Sequence, residues 1–230
     1  ISLNNRVGQI DQNHIFYLKM LSVDSVVSKK EIDDYQEVDE INGLKLYQSQ
    51  DIMPIAYATN SLYSQKQFKQ LQYPYTLDIL YNHAIVKNGN SHDQSQFIEE
   101  DIGLNKSYTI YQKKKKTVNY LLSRKTKNEI IVIEGDIKNY KPQQSVSITV
   151  NGIKNKLSRN NSPYYNQNTH FTYLLSGENI NKLTISLSKG HYDIKNIKTY
   201  SLDKNTIKKR NQEVDCLKIE KGKDILKGTI

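Results

Sequence analysis

The stretch SVSITVNGIKNKL at residues 145–157 decides the fold class. Two short β-rich runs flank Asn151-Gly152, and both central positions of a type I′ turn need positive φ, which Asn and Gly adopt at least cost. The stretch therefore reads as a tight hairpin. Working outward, SYTIYQ (107–112), TVNYLLS (117–123), EIIVIEGDI (129–137), FTYLLS (171–176), KLTISL (182–187) and HYDIKNIKTYSL (191–202) recur at strand length plus turn. Pro142, Gly177 and Gly190 punctuate the joints. With SVSITV and IKNKL this makes eight strands, the pattern of an antiparallel β-sandwich of jelly-roll character over residues 104–230.

The first 103 residues have a different rhythm and predict a small mixed α/β unit. HIFYLKMLSVDSVVS (14–28) starts helix-like and turns β-branched, a short helix leading into a strand. The acidic stretch from Glu31 to Glu40 reads as a surface connection. INGLKLYQS (41–49) carries an Asn-Gly turn and then alternates at Leu44 and Leu46, a strand with one buried face. DIMPIAYAT (51–59) reads as a second strand interrupted by Pro54. Phe68, Leu71, Leu77, Leu80 and Tyr81 fit helical turns, with Ser64 as an N-cap and Pro74 starting a second helix. Polar residues from Lys87 to Glu100 read as a linker. The fold class is thus α+β, mainly β.

Charge divides the chain in the same way. Residues 1–103 carry 8 Lys/Arg against 14 Asp/Glu, a net of −6, and residues 104–230 carry 25 against 10, a net of +15. The second half is suited to a polyanion. No uninterrupted apolar stretch approaches the roughly 20 residues of a membrane-spanning helix. The sequence opens on Ile1 with neither an initiator Met nor a secretory leader, and reads as an excised piece of a longer protein. The single cysteine, Cys216, excludes an internal disulfide and reads as a small apolar residue.

The run Lys113, Lys114, Lys115, Lys116, with Arg124 and Lys125 nearby, is the candidate polyanion site. Alternating apolar residues around it favour a hairpin with a Lys-rich exposed end, and its partners are an anionic polymer or lipid headgroups. A nucleic-acid site, with Tyr108, Tyr111 and Tyr120 stacking bases, is the weaker reading, and no nucleic-acid partner is expected. Tyr164 and Tyr165, set among asparagines in NNSPYYNQN (160–168), have the composition of a carbohydrate-contacting loop. The carboxylate pairs Asp33-Asp34 and Glu99-Glu100-Asp101 read as solvated loops. His14, His83, His92, His170 and His191 are spread singly, without metal-ligand spacing. No catalytic residue, metal site or cofactor is expected, although a Ser/His/Asp grouping assembled in space stays open.

Several segments in order resemble the C-terminal extracytoplasmic region of YfhO-family polytopic membrane proteins of Gram-positive bacteria. They are FYLKMLSVDSVVSKKEI (16–32), GLKLYQSQDIMPIAYATN (43–60), QFKQLQYPYTLDILYNHAIV (67–86), VSITVNGIKN (146–155), FTYLLSGENINKLTISLSKGHYDIKNIKTYSLD (171–203) and ILKGTI (225–230). The resemblance implies a many-helix membrane body like the GT-C glycosyltransferases, which use lipid-linked sugars to decorate wall polymers such as lipoteichoic acid. Catalytic carboxylates would lie in loops of that body, and none can be placed on this sequence. The implied role is acceptor presentation or scaffolding at the outer face of the cell membrane, with anchorage through transmembrane helices beyond this sequence. An independent carbohydrate-binding surface module or adhesin is the alternative.

Overall fold

The computed structural model describes residues 7–9, 14–104, 107–112, 114–140, 146–157, 170–177, 181–207, 215–216, 218–221 and 226–229. They are built mainly of strands with a few short helices, in several antiparallel sheets. The chain forms two compact units, one of Ile1–Asp11 with Ile98–Leu202, the other of Gln12–Phe97 with Asp203–Ile230. This division differs from a single cut after residue 103 for a topological reason. Residues 98–99 pair with the last long strand of the sandwich, while the chain beyond 203 returns to the other unit, where Cys216 pairs with Tyr57.

The elements up to residue 97 are β1 (Val7–Gln9), α1 (Ile15–Met20), β2 (Ser25–Ser28), β3 (Gln36–Ile41), β4 (Leu44–Gln48), β5 (Tyr57–Ala58), β6 (Leu62–Ser64), α2 (Gln65–Phe68), α3 (Tyr75–Asn82) and β7 (Ala84–Val86). His14 caps α1, its Nδ1 accepting from the Phe16 N–H at 3.2 Å. The stretch read as a surface connection contains β3, an exposed edge strand. Asn42-Gly43, at φ +54° and +74°, folds it back onto β4 as a hairpin. Its charged residues and a bulge between Glu37 and Asp39 discourage further strand pairing. On β4 the buried residue is Tyr47, packed with Leu18, Ile32 and Tyr35, and Leu44 is exposed. The strand expected at 51–59 shrinks to Tyr57–Ala58.

The polar stretch read as a linker is held in place. The Ser91 N–H donates to the Leu62 carbonyl at 3.0 Å, Gly89 lies against the Tyr63–Ser64 backbone, and Phe97 is buried. Buried side-chain and backbone pairing, rather than apolar periodicity, organises this segment.

The sandwich then runs β8 (Ile98–Glu99), β9 (Tyr108–Gln112), β10 (Lys116–Leu121), β11 (Glu129–Asn139), β12 (Val146–Val150), β13 (Ile153–Leu157), β14 (His170–Gly177), β15 (Lys182–Leu187) and β16 (Gly190–Asp203). β17 (Asp215–Cys216), β18 (Lys218–Lys221) and β19 (Leu226–Thr229) follow in the other unit. One sheet has the order β1-β14-β11-β16-β8, with β9 also pairing β16; the other has the order β10-β15-β12-β13. From β9 to β16, β9-β16-β11-β14 therefore faces β10-β15-β12-β13, which is the jelly-roll arrangement of eight strands.

Ile131, Ile133, Tyr173 and Ile194 of the larger sheet meet Ile148, Val150, Leu183 and Leu187 of the smaller one in a single core. The buried Tyr173 hydroxyl donates to the Ile148 carbonyl at 2.9 Å, a polar tie between the sheets. Asn151 and Gly152 adopt φ +45° and +86°, as the hairpin requires.

Candidate functional site

Side chains alternate across a strand, so the residues between core positions of the larger sheet lie on its other face. On β16, core Tyr192 and Ile194 leave His191 and Asp193 on that face. Register sets Tyr111 of β9 opposite His191, and Thr109 opposite Asp193. At the end of β11 the Tyr140 N–H donates to the His191 carbonyl at 3.1 Å, which lays the Tyr140 ring over the His191 ring with centroids 4.3 Å apart. Tyr111 meets the same imidazole edge-on at 5.6 Å. Three rings thus run side by side across neighbouring strands, with Tyr111 68% and Tyr140 43% exposed.

Polar contacts fix this strip. The Tyr140 hydroxyl donates to Asp193 Oδ2 at 2.5 Å, and the Thr109 hydroxyl to Asp193 Oδ1 at 2.9 Å. Both bonds hold the Asp193 carboxyl below its ordinary range, and the same Asp193 contact raises the Tyr140 phenol. The Lys138 ammonium sits 4.7 Å from the Tyr140 ring centroid, in cation–π range.

Further along the same face, His170 of β14 stands opposite Asp136 of β11. Its Nδ1 is 3.0 Å from Asp136 Oδ1, and its Nε2 is 3.5 Å from Glu134 Oε2. Asn196 Nδ2 donates to Asp136 Oδ2 at 2.8 Å, and the Tyr200 hydroxyl to Glu134 Oε1 at 2.9 Å. The Glu134 contact, with help from Asp136, raises the His170 pKa against the effect of burial. Burial would raise Asp136, but its bonds to His170 and Asn196 outweigh this and hold it low.

The sign of the consequence follows from linkage. A raised His pKa contributes stability that is complete below the ordinary value of about 6.5 and is lost as pH rises through the folded value. Urea unfolding of the chain and of His170→Gln should therefore differ most at mildly acid pH and converge in alkaline solution. A stability difference that stays constant with pH would show that the ion pair contributes nothing.

The basic run splits into parts. Lys114 and Lys115 are exposed in the turn between β9 and β10; Lys113 and the side chain of Lys116 lie outside the described residues. Because Gly190 pairs with Gln112 and Leu187 with Lys116, the β15–β16 turn lies alongside, adding the exposed Lys189. These lysines border the end of the sheet that carries Tyr111 and His191. Arg124 and Lys125 follow the far end of β10, about 17 Å along the strand. Lys125 is exposed, whereas Arg124 forks onto Glu100 and Glu129, with Nη2 2.7 Å from Glu129 Oε2.

Tyr164 and Tyr165 lie outside the described residues. Tyr108 packs against the core. Of the carboxylates read as solvated, Asp33 pairs with buried Lys204, Asp34 with buried Lys19 and Glu100 with Arg124, whereas Glu99 is exposed and meets Lys198 at the surface. Asp101 accepts from the Gly103 and Leu104 N–H groups. A Ser/His/Asp grouping does assemble at His83, whose Nε2 is 2.8 Å from Asp93 and 3.3 Å from the Ser91 hydroxyl. Both partners meet the same nitrogen and Nδ1 faces the Ile79 carbonyl, so the relay geometry of a nucleophilic triad is not formed. Among the described residues no group of three His, Cys, Asp or Glu could hold a metal ion.

The strip was not apparent from residue types alone. Tyr140, His191 and Lys189 are far from the Lys run in sequence. The alternation in HYDIKN places His191 and Asp193 on the face opposite Tyr192 and Ile194, and is the one cue available.

Among the described residues no helix is long and apolar enough to cross a membrane. No curated protein matches the chain. The family model described as bacterial membrane protein YfhO matches residues 5–230.

Proposed function

Because the chain belongs to the YfhO family of bacterial membrane proteins, we propose that it is an extracytoplasmic region that holds an anionic, sugar- or polyol-containing wall polymer of the lipoteichoic-acid type. It presents this acceptor to a glycosyltransferase site elsewhere in its protein. The observation that carries this reading is the ring strip Tyr111–His191–Tyr140 bordered by Lys114, Lys115 and Lys189. Rings cover the apolar faces of sugar or polyol units, and ammonium groups meet the phosphates between them. The fixed strip adds little ordering cost on binding. The jelly roll supplies the rigid sheet on which such a strip can stand.

Binding of lipoteichoic acid to the full 230-residue chain tests this. Affinity should fall as salt rises, since exposed charges are screened beyond about 8 Å at physiological ionic strength. Each lysine near such a surface is worth roughly 1 kcal/mol, so the triple variant Lys114→Ala, Lys115→Ala, Lys189→Ala should weaken binding by roughly 100-fold. Tyr111→Ala with Tyr140→Ala should weaken it at every salt concentration. Absence of binding at low ionic strength would end the acceptor reading.

A further inference from the structure

We propose that a groove confined to the unit of Gln12–Phe97 and Asp203–Ile230 is a second binding site, for an uncharged sugar chain. Two lobes of about 420 and 360 Å³ meet at Asp93 and Gln94, which line both. Each lobe falls in the size range of small-molecule sites.

The lobes differ in chemistry. The first is lined by residues that carry amide and hydroxyl groups, including Asn82, Gln94, Gln96 and Thr206. Primary amides offer both donors and an acceptor, which matches the paired donor and acceptor character of sugar hydroxyls. The second lobe is lined by Tyr63, Leu71, Tyr75 and Phe97; Tyr63 and Phe97 are buried, and the partly exposed Tyr75 supplies the ring surface suited to the apolar face of a pyranose. Among the described residues no Lys or Arg lines either lobe, and the first carries two carboxylates, Asp93 and Asp203. A polyanion is repelled there. The ligand is therefore different in kind from that of the basic strip.

The wall shared by the lobes is held rigidly from beneath. Asp78 of α3 is 2% exposed and accepts from the Ser95 hydroxyl at 2.6 Å and from the Gln96 N–H at 2.5 Å. The Thr206 hydroxyl donates to Gln96 Oε1 at 3.1 Å and fixes the orientation of that amide. His83, a largely buried residue lining the first lobe, orients Asp93 through a 2.8 Å contact and leaves that carboxylate 69% exposed. This contact holds the Asp93 pKa below its ordinary value, so the group is a hydroxyl acceptor at neutral pH.

The test is calorimetric titration of the full chain with neutral trisaccharides of glucose, galactose and N-acetylglucosamine. At least one should bind, with an affinity unchanged by salt. The double variant Asn82→Ala, Gln94→Ala should lose at least about tenfold, while unfolding at the parent's urea midpoint. The triple lysine variant should bind the sugar as the parent does. The assignment is overturned if none of the three sugars binds, if the Asn82/Gln94 variant binds unchanged, or if affinity follows salt and the lysines. The last outcome would place the sugar on the strip instead, and loss of polymer binding alone would leave the groove standing.

Discussion

Gly89→Ala should destabilise its unit by about 3 kcal/mol, at the upper end of what overpacking costs. A Cβ at this position would stand 2.3 Å from the Tyr63 carbonyl carbon, 2.5 Å from the Ser64 nitrogen and 2.6 Å from the Tyr63 oxygen. All three are backbone atoms of β6, which pairs in parallel with β7, so they cannot swing aside as the tip of a flexible side chain would. The segment must lift instead. That would break the bond from the Ser91 N–H to the Leu62 carbonyl and displace Asp93 and Gln94 from the groove.

Gly152→Ala is the matched control. It sits at φ +86° with nothing within 4 Å of the added Cβ, so only backbone strain of about 1 kcal/mol is expected. Urea unfolding read by far-ultraviolet circular dichroism should separate the two. Equal losses would mean that the close approach at Gly89 is relieved without cost.

The contrast also shows which features the sequence could reveal. The eight segments read as strands beyond residue 104 are β9 to β16, because each combines β-branched or aromatic residues with turn residues at its ends. The Asn151-Gly152 hairpin was readable because few residue pairs tolerate two successive positive φ angles. The 87–97 segment was not, since its order comes from hydrogen bonds to residues distant in sequence and from a glycine whose importance is a contact rather than a turn. β3 was hidden for a related reason. All its residues are exposed, so it shows no apolar period and is defined only by pairing with β4. The strip of Tyr111, His191 and Tyr140 joins three strands separated by up to 80 positions, and only register brings them together. The basic run was visible as composition, but Lys114 and Lys115 separate from Arg124 and Lys125 by the length of β10, which spacing along the chain does not express.

Asp51→Asn should cost far more than Lys19→Met, although each removes one partner of the same ion pair. The Lys19 ammonium is 2.7 Å from Asp51 and 3.6 Å from Asp34, with its side chain 1% exposed; the Asp51 and Asp34 side chains are 31% and 15% exposed. Removing Asp51 leaves a cation in the interior with one longer contact. Breaking a buried pair in this way typically costs about 3 kcal/mol or more. Removing Lys19 with Met keeps an apolar stem of similar length in the same space; Asp51, the nearer carboxylate, reaches water, while the Oδ2 of Asp34 stays buried. A loss of about 1 kcal/mol is expected. The asymmetry follows from which charge can be rehydrated, and a double-mutant cycle measures it directly. Asp51→Asn should be largely rescued in the background of Lys19→Met, because the stranded cation is then gone. Equal single-variant costs with no rescue would show that water reaches Lys19. The same logic extends to Lys204, fully buried against Asp33. The two adjacent acidic residues that look like a solvated loop in sequence are thus the counter-charges of two interior lysines, one from α1 and one from the chain returning after β16.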